Sequence, residues 1–328
     1  MQFFVTGGSG FLGRHLVTRL VAEGHVVLAL ARSEQAAHAV VAAGARPVRG
    51  ALCDAPALAH EVEGTDVVVH AAADTRQWGR PGALQADNVE GTRAVIALAL
   101  AGHAARLVHV STEAVLAGGR PLRYADESAP YPSRHSGEYA RTKAVAEQLV
   151  LAADGHELRT VSVRPRLIWG PGDTTFAPAV LDAMRGGRWA WVSGGDYLTS
   201  TCHVRNVVEG LVLAATVERA QGTYFLTDGA PVRFREFVTD VATAYGVEPP
   251  ERSVPYAVAR TMAGVVDRGW RTLHLRGEPA VSEGAIALVG HEMTVNDTRA
   301  RSELGYRPVV GVADGLAELR AHEQEKRA

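Results

Sequence analysis

The 328-residue sequence has little of several features that would assign a protein class at once. It contains two cysteines, Cys53 and Cys202, whose spacing fits neither a zinc motif nor a disulfide framework. Its formal net charge is −2, and no run of lysine and arginine indicates a nucleic-acid-binding surface. No uncharged apolar stretch reaches about 18 residues, the length that a membrane-spanning helix needs. We therefore expect no metal, no nucleic-acid partner and no membrane span.

The N-terminal region also lacks a basic segment followed by an apolar core and a cleavage site, the pattern of a secretory signal. Met1 leads directly into an apolar strand pattern. Hydrophobic residues make up 47% of the chain and charged residues 21%, so the chain is able to bury a large core. We expect a folded, cytoplasmic protein with reduced cysteines.

Apolar runs alternate with helical patterns through the first 165 residues. Continuous runs of valine, leucine and alanine are typical of parallel strands that are covered on both faces. The predicted strands are 3–6, 26–31, 47–52, 66–71, 107–111 and 160–164, and two of the predicted helices are 88–101 and 138–153. The alternation predicts an α/β fold of the Rossmann type, with a doubly wound parallel sheet.

After Pro165 the predicted elements become shorter and are separated by glycine-rich turns. We predict a smaller, discontinuous C-terminal substrate-binding lobe made of about 166–202 and 229–328. The NAD(P)-binding domain then comprises 1–165 plus about 203–228, because an apolar helix followed by TYFLT is expected to return to the sheet. An amphipathic helix near 256–275 is consistent with packing in the lobe, with a lid or with a membrane-surface contact.

Three glycines, Gly7, Gly10 and Gly13, lie between the first predicted strand and the first helix. Glycine there lets a pyrophosphate approach the helix N-terminus, whose N–H groups and dipole favour an anion. The second strand ends in Ala31-Arg32-Ser33, without the acidic residue that commonly binds the ribose of NAD. A guanidinium suits a 2′-phosphate, so NADP(H) is favoured over NAD(H). The alternative is that Arg32 is only a solvated residue at the strand end.

Tyr139 and Lys143 lie one helical turn apart in the segment EYARTK. A nearby ammonium group favours the phenolate and lowers the pKa of a tyrosine from its usual value near ~10. The spacing alone also fits two surface residues of a helix. Next to a dinucleotide site, however, the pair is a candidate for proton transfer.

Six motifs follow one another in the chain: the glycine loop, HAAA at 70–73, NVEGT at 88–92, VST at 110–112, YARTK at 139–143 and RPRLIWGPGD at 164–173. Together they resemble the extended short-chain dehydrogenases/reductases. Within that group the chain is most similar to the 3β-hydroxysteroid dehydrogenase-like branch of the NAD-dependent epimerase/dehydratase family. The resemblance covers nearly the whole chain.

The resemblance implies roles for individual residues. Tyr139 would be the general acid/base, and Lys143 would bind the nicotinamide ribose. Thr112, in preference to its neighbour Ser111, would hydrogen-bond the substrate oxygen, and Asn88 would support the site geometry. The implied cofactor contacts are Gly7, Gly10, Phe11, Leu12, Gly13, Arg32, Leu52, Ala71, Ala72, Tyr139, Lys143, Pro165 and Leu167.

The activity implied by the resemblance is that of an NAD(P)-dependent ketone reductase or secondary-alcohol dehydrogenase acting by hydride transfer. Aromatic residues suit an apolar, steroid-like or fatty 3-hydroxy/3-keto small molecule, although the same residues would also serve as the core of the lobe. They are Trp78, Trp169, Phe176, Trp189, Trp191 and Tyr197. Arg166, Arg188 and Arg205 are candidates for binding an acidic group of the substrate.

Two alternatives stay open. A sugar-nucleotide epimerase would use the same residues and hold NAD tightly, whereas the dehydratases of this family carry an Asp-Glu pair where this chain has Glu113-Ala114. A non-catalytic dinucleotide-sensing protein would need the fold but not Thr112, Tyr139 and Lys143 together. The resemblance also makes a homodimer possible, through the helices near 88–101 and 138–153, and a monomer is the alternative.

Overall fold

A computed structural model describes residues 1–54, 58–76, 82–273, 275, 279 and 281–327. Its centre is a seven-stranded sheet in which all neighbouring strands are parallel. The strands of this sheet are β1 (Gln2–Thr6), β2 (Val26–Ala31), β3 (Arg46–Arg49), β4 (Val67–His70), β5 (Arg106–Val110), β7 (Arg159–Pro165) and β12 (Gly222–Leu226). The other strands are β6 (Leu122–Ala125), β8 (Ile168–Trp169), β9 (Trp191–Val192), β10 (Leu198–Thr199), β11 (Cys202–His203), β13 (Val232–Arg233), β14 (Ser253–Val254) and β15 (Met293–Val295).

The strand order across the central sheet is β3-β2-β1-β4-β5-β7-β12. The direction of winding therefore reverses between β1 and β4, and ligands of doubly wound sheets bind beyond the carboxyl ends of the strands at such a point. The central strands are buried on both faces; Val67, Val68 and Val69 of β4, for example, are all buried. The fold class predicted from the continuous apolar runs is confirmed.

Helices cover both faces of this sheet and build the lobe beside it. They are α1 (Phe11–Ala22), α2 (Glu34–Ala42), α3 (Gly91–Ala101), α4 (Glu138–Ala152), α5 (Phe176–Arg185), α6 (Val204–Thr216), α7 (Phe234–Ala244), α8 (Tyr256–Thr272), α9 (Glu283–Val289) and α10 (Val312–Glu325). A π-type turn, Gln85–Glu90, precedes α3, and a short 3-10 turn, Glu113–Leu116, follows β5.

The predicted element ends differ from the structure by more than one residue in two places. The third strand ends at Arg49 instead of residue 52, because Gly50 has a φ of 156° and Leu52–Asp54 forms a 3-10 turn. The helix predicted from residue 88 begins as an α-helix only at Gly91, since the π-type turn comes first.

Beyond β7 the chain forms a four-stranded sheet, β13-β10-β15-β6, and a second hydrophobic cluster. Trp169 and Trp191 are each 1% exposed in this cluster, and Phe234 and Phe237 pack with them. The strand β12 lies at the edge of the central sheet, next to β7. The division into two lobes at the stated boundaries stays a prediction.

The helix α8 has two different apolar faces. Ala259 and Ala263 are buried against the lobe, whereas Val258, Met262 and Val265 are largely exposed. The structure thus shows lobe packing for one face, and the lid and membrane-surface alternatives stay open for the other. Among the helices of the described residues, none combines the length and apolarity needed to cross a bilayer.

Candidate active site

The glycine loop forms a tight cradle between β1 and α1. Gly7 has a φ of 75°, and a Cβ there would lie 2.7 Å from the backbone nitrogen of Ala72. At Gly13 a Cβ would lie only 2.0 Å from the carbonyl oxygen of Gly7. Side chains at these positions would collide with the backbone of Ala71, Ala72 and Gly7, so glycine lets β1, the loop and α1 pack into a tight turn. A turn of this kind fits the pyrophosphate of a dinucleotide.

The first turn of α1 offers free hydrogen-bond donors at this cradle. Gly10 precedes the helix without a side-chain cap, and the first helical hydrogen bond runs from Arg14 N to Gly10 O at 3.0 Å. The N–H groups of Phe11, Leu12 and Gly13 come before that bond. Orphan N–H groups and the helix dipole make such an end an anion site.

The carboxyl end of β2 carries the residues expected to meet the adenosine ribose. Arg32 is exposed, and Ser33 caps α2 by accepting from Ala36 N at 3.2 Å. A second guanidinium is close by, since Arg49 donates to the Ser33 carbonyl at 2.9 Å and to Glu34 at 3.0 Å. Sequence reasoning missed Arg49, because its proximity depends on the pairing of β2 with β3.

The wall of the cradle is formed where β4 ends. Ala71 and Ala72 are partly buried, and Ala72 N donates to Thr6 Oγ1 at 3.2 Å. His70, in the same motif, lies between Thr6 Oγ1 at 2.7 Å and Thr92 Oγ1 at 3.0 Å. Burial, with the Lys143 charge adding to it, lowers the pKa of His70 to about 3, so His70 is a neutral structural link between β1, β4 and α3.

Thr112 lies where β5 ends and begins the 3-10 turn Glu113–Leu116. Its hydroxyl accepts from Ala114 N at 3.2 Å and donates to Glu113 Oε2 at 2.9 Å. It also lies close enough to the phenol of Tyr139 to influence the pKa of that group. Ser111 differs, since its buried hydroxyl lies on the side of Glu147 and has no hydrogen bond of normal geometry. The structure therefore brings together Thr112 and Tyr139.

Tyr139 is the second residue of α4 and is partly buried. Burial raises its pKa, the carboxylates of Glu113 and Asp74 raise it further, and the nearby hydroxyl of Thr112 acts in the opposite direction. The expected lowering by Lys143 is therefore not found for the groups of the protein itself. Desolvation and the neighbouring carboxylates both disfavour the phenolate.

Lys143 lies one turn further along α4 and is 2% exposed. Its ammonium donates to Val110 O at 2.8 Å and lies 3.4 Å from His109 Nε2. Burial lowers the pKa of Lys143 to about 8, with the Glu147 carboxylate acting in the opposite direction. His109 itself has a pKa well below its usual value because it is buried beside Lys143 and His70, so it accepts from the ammonium as a neutral ring.

Asn88 connects the segment after β4 to α4. Its amide nitrogen donates to Asp74 O at 3.0 Å and to Thr142 Oγ1 at 3.1 Å, and its oxygen accepts from Asp74 N at 2.8 Å. Asn88 is 2% exposed, so this bonding is internal. Because Thr142 precedes Lys143, the amide fixes α4 next to the wall of the cradle.

A buried ion pair lies one turn below Lys143. Glu147 has no exposed side-chain area and is bound by Arg164 Nη2 at 2.6 Å, Ser162 Oγ at 2.9 Å and Tyr131 Oη at 2.6 Å. The Arg164 guanidinium also lies over the ring of Tyr131. Sequence reasoning did not identify this pair, although Arg164 is part of a motif that it used.

The three arginines considered for an acidic substrate group are all paired in the structure. Arg166 is buried against Glu113, Arg188 bonds Asp182, and Arg205 lies 3.5 Å from Glu318. Arg188 lies on the surface of the lobe and Arg205 on the surface of α6, and both form ordinary surface ion pairs. Of these three arginines, Arg166 is the one that lies beside the site, and its ion-pair partner is Glu113 of the protein itself.

The segment after β7 passes the site in a strained conformation. Pro165 is buried, and Leu167 has a φ of 47°, in the left-handed region that bulky residues rarely adopt. Such strain costs about 1–3 kcal/mol and is concentrated at functional sites. Leu52, the expected adenine contact, is partly buried and packs against Gly91.

The aromatic residues predicted to close over the nicotinamide belong mostly to the lobe core. Trp169 and Trp191 are fully buried in that core, and Phe176, Trp189 and Tyr197 pack against it. Trp78 lies outside the described residues. The alternative given for these residues, a structural core, is therefore the one that the structure favours. In the described part of the chain, no cluster of three or more His, Cys, Asp or Glu has the arrangement of a metal site.

Comparisons with known proteins identify the chain. Residues 4–256 match the model of the 3-beta hydroxysteroid dehydrogenase/isomerase family. A 4-hydroxy-2-methyl-3-oxo-4-farnesyl-3,4-dihydroquinoline-1-oxide ketoreductase from Stigmatella aurantiaca is 49% identical over 98% of this chain and 96% of its own length. A 2-alkyl-3-oxoalkanoate reductase from Stenotrophomonas maltophilia (strain K279a) is 36% identical over 98% of this chain and 99% of its own.

Among solved structures, the dTDP-glucose 4,6-dehydratase of Streptomyces venezuelae, crystallised with NAD, is similar with a TM-score of 0.76. It is 24% identical over 100% of this chain and 98% of its own, a level that shows the fold alone. Fold, cradle and relatives define an NAD(P)-dependent oxidoreductase of the extended short-chain dehydrogenase/reductase type. The chain belongs to the 3-beta hydroxysteroid dehydrogenase/isomerase family.

Proposed function

We propose that this protein reduces the ketone of an apolar small molecule, with NADPH as the reductant. The observation that carries the proposal is the closeness of the hydroxyls of Thr112 and Tyr139 where β5 ends, with Lys143 one turn further along α4. Two hydroxyls held together are suited to bind one carbonyl oxygen. The glycine cradle at the end of β1 lies at the same edge of the sheet.

The proposed roles divide a two-electron reduction between cofactor and protein. The bound nicotinamide supplies a hydride to the carbonyl carbon. Tyr139 donates its phenolic proton to the carbonyl oxygen, while Thr112 hydrogen-bonds the same oxygen. The raised pKa of Tyr139 keeps the phenol protonated at neutral pH, so the residue carries the proton that the carbonyl oxygen takes up.

Lys143 is proposed to bind the nicotinamide ribose and to place a positive charge near the phenol. With a pKa of about 8, the ammonium is mostly charged at pH 7 although it is buried. The bonds to Val110 O and His109 show that it is already oriented by the end of β5. The charge favours the phenolate that remains after Tyr139 has given up its proton.

NADP(H) is the proposed cofactor in preference to NAD(H). The support is the exposed guanidinium of Arg32 where β2 ends, with Arg49 beside it, and Ser33 in place of an acidic residue. A 2′-phosphate would be bound by charge-assisted hydrogen bonds there. We expect Arg32→Ala to raise the KM for NADPH about tenfold or more while leaving that for NADH nearly unchanged. Equal effects on both cofactors would contradict the assignment.

The names of the relatives support an apolar substrate. The Stigmatella relative is named for a farnesylated quinoline ketone, and the Stenotrophomonas relative for a 2-alkyl-3-oxoalkanoate. Both names describe a ketone on a largely apolar framework, and the second compound also carries a carboxylate. A panel of alkyl, terpenoid and steroid ketones tested with NADPH therefore has the best prospect of finding turnover.

The variant Tyr139→Phe tests the central role. It retains the ring that packs at the start of α4 and removes the proton donor, so we expect kcat to fall about 10²–10⁴-fold with unchanged NADPH binding. Tyr124→Phe is the matched control, because Tyr124 is 56% exposed. A Tyr139→Phe enzyme with a kcat near that of the wild type would exclude the mechanism.

A further inference from the structure

Glu113 and Arg166 form an ion pair in the interior, directly beside the residues assigned to the reaction. Arg166 Nη1 donates to Glu113 Oε1 at 2.5 Å, and both side chains are about 4% exposed. Thr112 donates its hydroxyl proton to the other carboxylate oxygen, Oε2, at 2.9 Å. The pair is therefore one hydrogen bond away from the hydroxyl that is proposed to bind the substrate oxygen.

Each nitrogen of the Arg166 guanidinium already donates to a group of the protein. Nη1 binds Glu113, Nη2 donates to Leu288 O at 2.8 Å and to Thr199 Oγ1 at 3.2 Å, and Nε donates to Thr199 at 3.3 Å. A guanidinium next to a substrate site would otherwise suit a carboxylate, which it binds with two parallel hydrogen bonds. A substrate carboxylate would have to displace Glu113 and leave a buried, unpaired anion.

The negative charges near Tyr139 also disfavour a substrate that carries a carboxylate. After burial, the groups that raise its pKa are the carboxylates of Glu113 and Asp74. A ketone bound to the phenol shares these surroundings. A carboxylate two bonds from that ketone would lie near these two carboxylates, whose cationic partners are Arg166 and Arg76, and juxtaposed like charges are unfavourable.

We propose that the Glu113–Arg166 pair sets the charge preference of the site, so that it accepts neutral ketones and rejects 3-oxo acids of the same length. The inference rests on the proposed function, because it specifies which ketones the reductase takes. The preference arises because Glu113 is paired with the Arg166 guanidinium, which would otherwise be able to bind the carboxylate of an acidic substrate.

A matched pair of substrates tests the preference. The probes are methyl 3-oxodecanoate and freshly prepared 3-oxodecanoate at pH 7, where the acid is ionised. Initial rates with NADPH are combined with identification of the hydroxy product by mass, since 3-oxo acids also lose carbon dioxide. We expect kcat/KM to be at least about tenfold higher for the ester. A ratio near one, or one that favours the acid, overturns the proposal.

Two variants locate the cause of the preference. Glu113→Gln removes the negative charge and releases Arg166, so the acid-to-ester ratio of kcat/KM should rise about tenfold or more, although ester turnover itself is expected to fall. The double variant Glu113→Gln with Arg166→Met keeps residue 113 neutral and removes the guanidinium, so the rise should disappear. An unchanged ratio in Glu113→Gln, with normal Tm and NADPH binding, overturns the proposal.

The outcomes separate this inference from the proposed function. If the wild type binds NADPH but reduces neither probe nor any ketone of a broad panel, the reductase assignment fails. If it reduces ester and acid equally well, the reductase assignment stands and the charge preference is wrong. Should Glu113→Gln fail to fold, the wild-type ratio alone decides.

Discussion

Replacing Lys143 by Met should make the cofactor-free protein more stable while removing its activity. Lys143 is 2% exposed, and burial lowers its pKa from 10.5 to about 8. At about 1.36 kcal/mol per pKa unit, the buried charge costs ~3 kcal/mol of folding free energy at pH 7. Methionine has a similar length, but it loses the hydrogen bond to Val110 O, which offsets about 1 kcal/mol. We expect a net gain of about 2 kcal/mol at pH 7.

The pH dependence of this gain follows from the direction of the pKa shift. A lysine whose pKa is lowered by folding destabilises the native state fully below about pH 8, where both states are protonated. The penalty falls as the pH rises from about 8 towards the unfolded value of 10.5, because the folded protein no longer carries the charge. The gain of Lys143→Met should therefore shrink to about zero near pH 10.

Urea unfolding of both proteins at pH 7, 8, 9 and 10, without cofactor, measures this difference. Lys326→Met is the matched control, since it removes the only other lysine of the chain at a side chain that is 53% exposed. Its effect should be small and nearly independent of pH. A Lys143→Met protein that is less stable than the wild type at pH 7, or a difference that does not change with pH, would refute the reasoning.

Two further substitutions test the cradle and the buried pair. Gly13→Ala should abolish NADPH binding and lower the free energy of unfolding by at least about 1–3 kcal/mol, because its Cβ would lie 2.0 Å from Gly7 O. Gly155→Ala is the control, since a Cβ at that position meets no atom within 4 Å. Calorimetric titration with NADPH measures the binding. Glu147→Gln should lower the free energy of unfolding, measured in urea, by about 3–5 kcal/mol, because it leaves Arg164 buried without its anion. Replacing both residues by Met should recover most of that loss. A Glu147→Gln protein as stable as the wild type would contradict the role of the pair.

The central fold was predictable because its signals are local. The continuous apolar runs of β1, β2, β4, β5 and β7 report burial on both faces, which in turn requires a parallel sheet. The failure at the third strand is also local in origin. Gly50 turns the chain before Leu52, and a glycine with a φ of 156° leaves no trace in a hydrophobic pattern.

The electrostatics of the site were not predictable in the same way. Glu113 and Arg166 are 53 residues apart in sequence, so their contact depends on the way β7 passes the end of β5. The expectation for Tyr139 failed for a related reason. Spacing on a helix identified the cation at Lys143 but gave neither the depth of burial of the phenol nor the carboxylate next to it.

Buried Glu147 accounts for the way in which a buried lysine keeps its charge at neutral pH. Tyr139, Lys143 and Glu147 follow one another at intervals of four residues, so they share one face of α4. Burial lowers the pKa of Lys143, and the Glu147 carboxylate is the group that opposes this. Arg164 in turn keeps Glu147 ionised, with a pKa below its usual value despite burial. The helix thus carries the counter-ion of its own ammonium one turn deeper, and the Glu147–Arg164 pair tunes Lys143 without any need to contact substrate or cofactor.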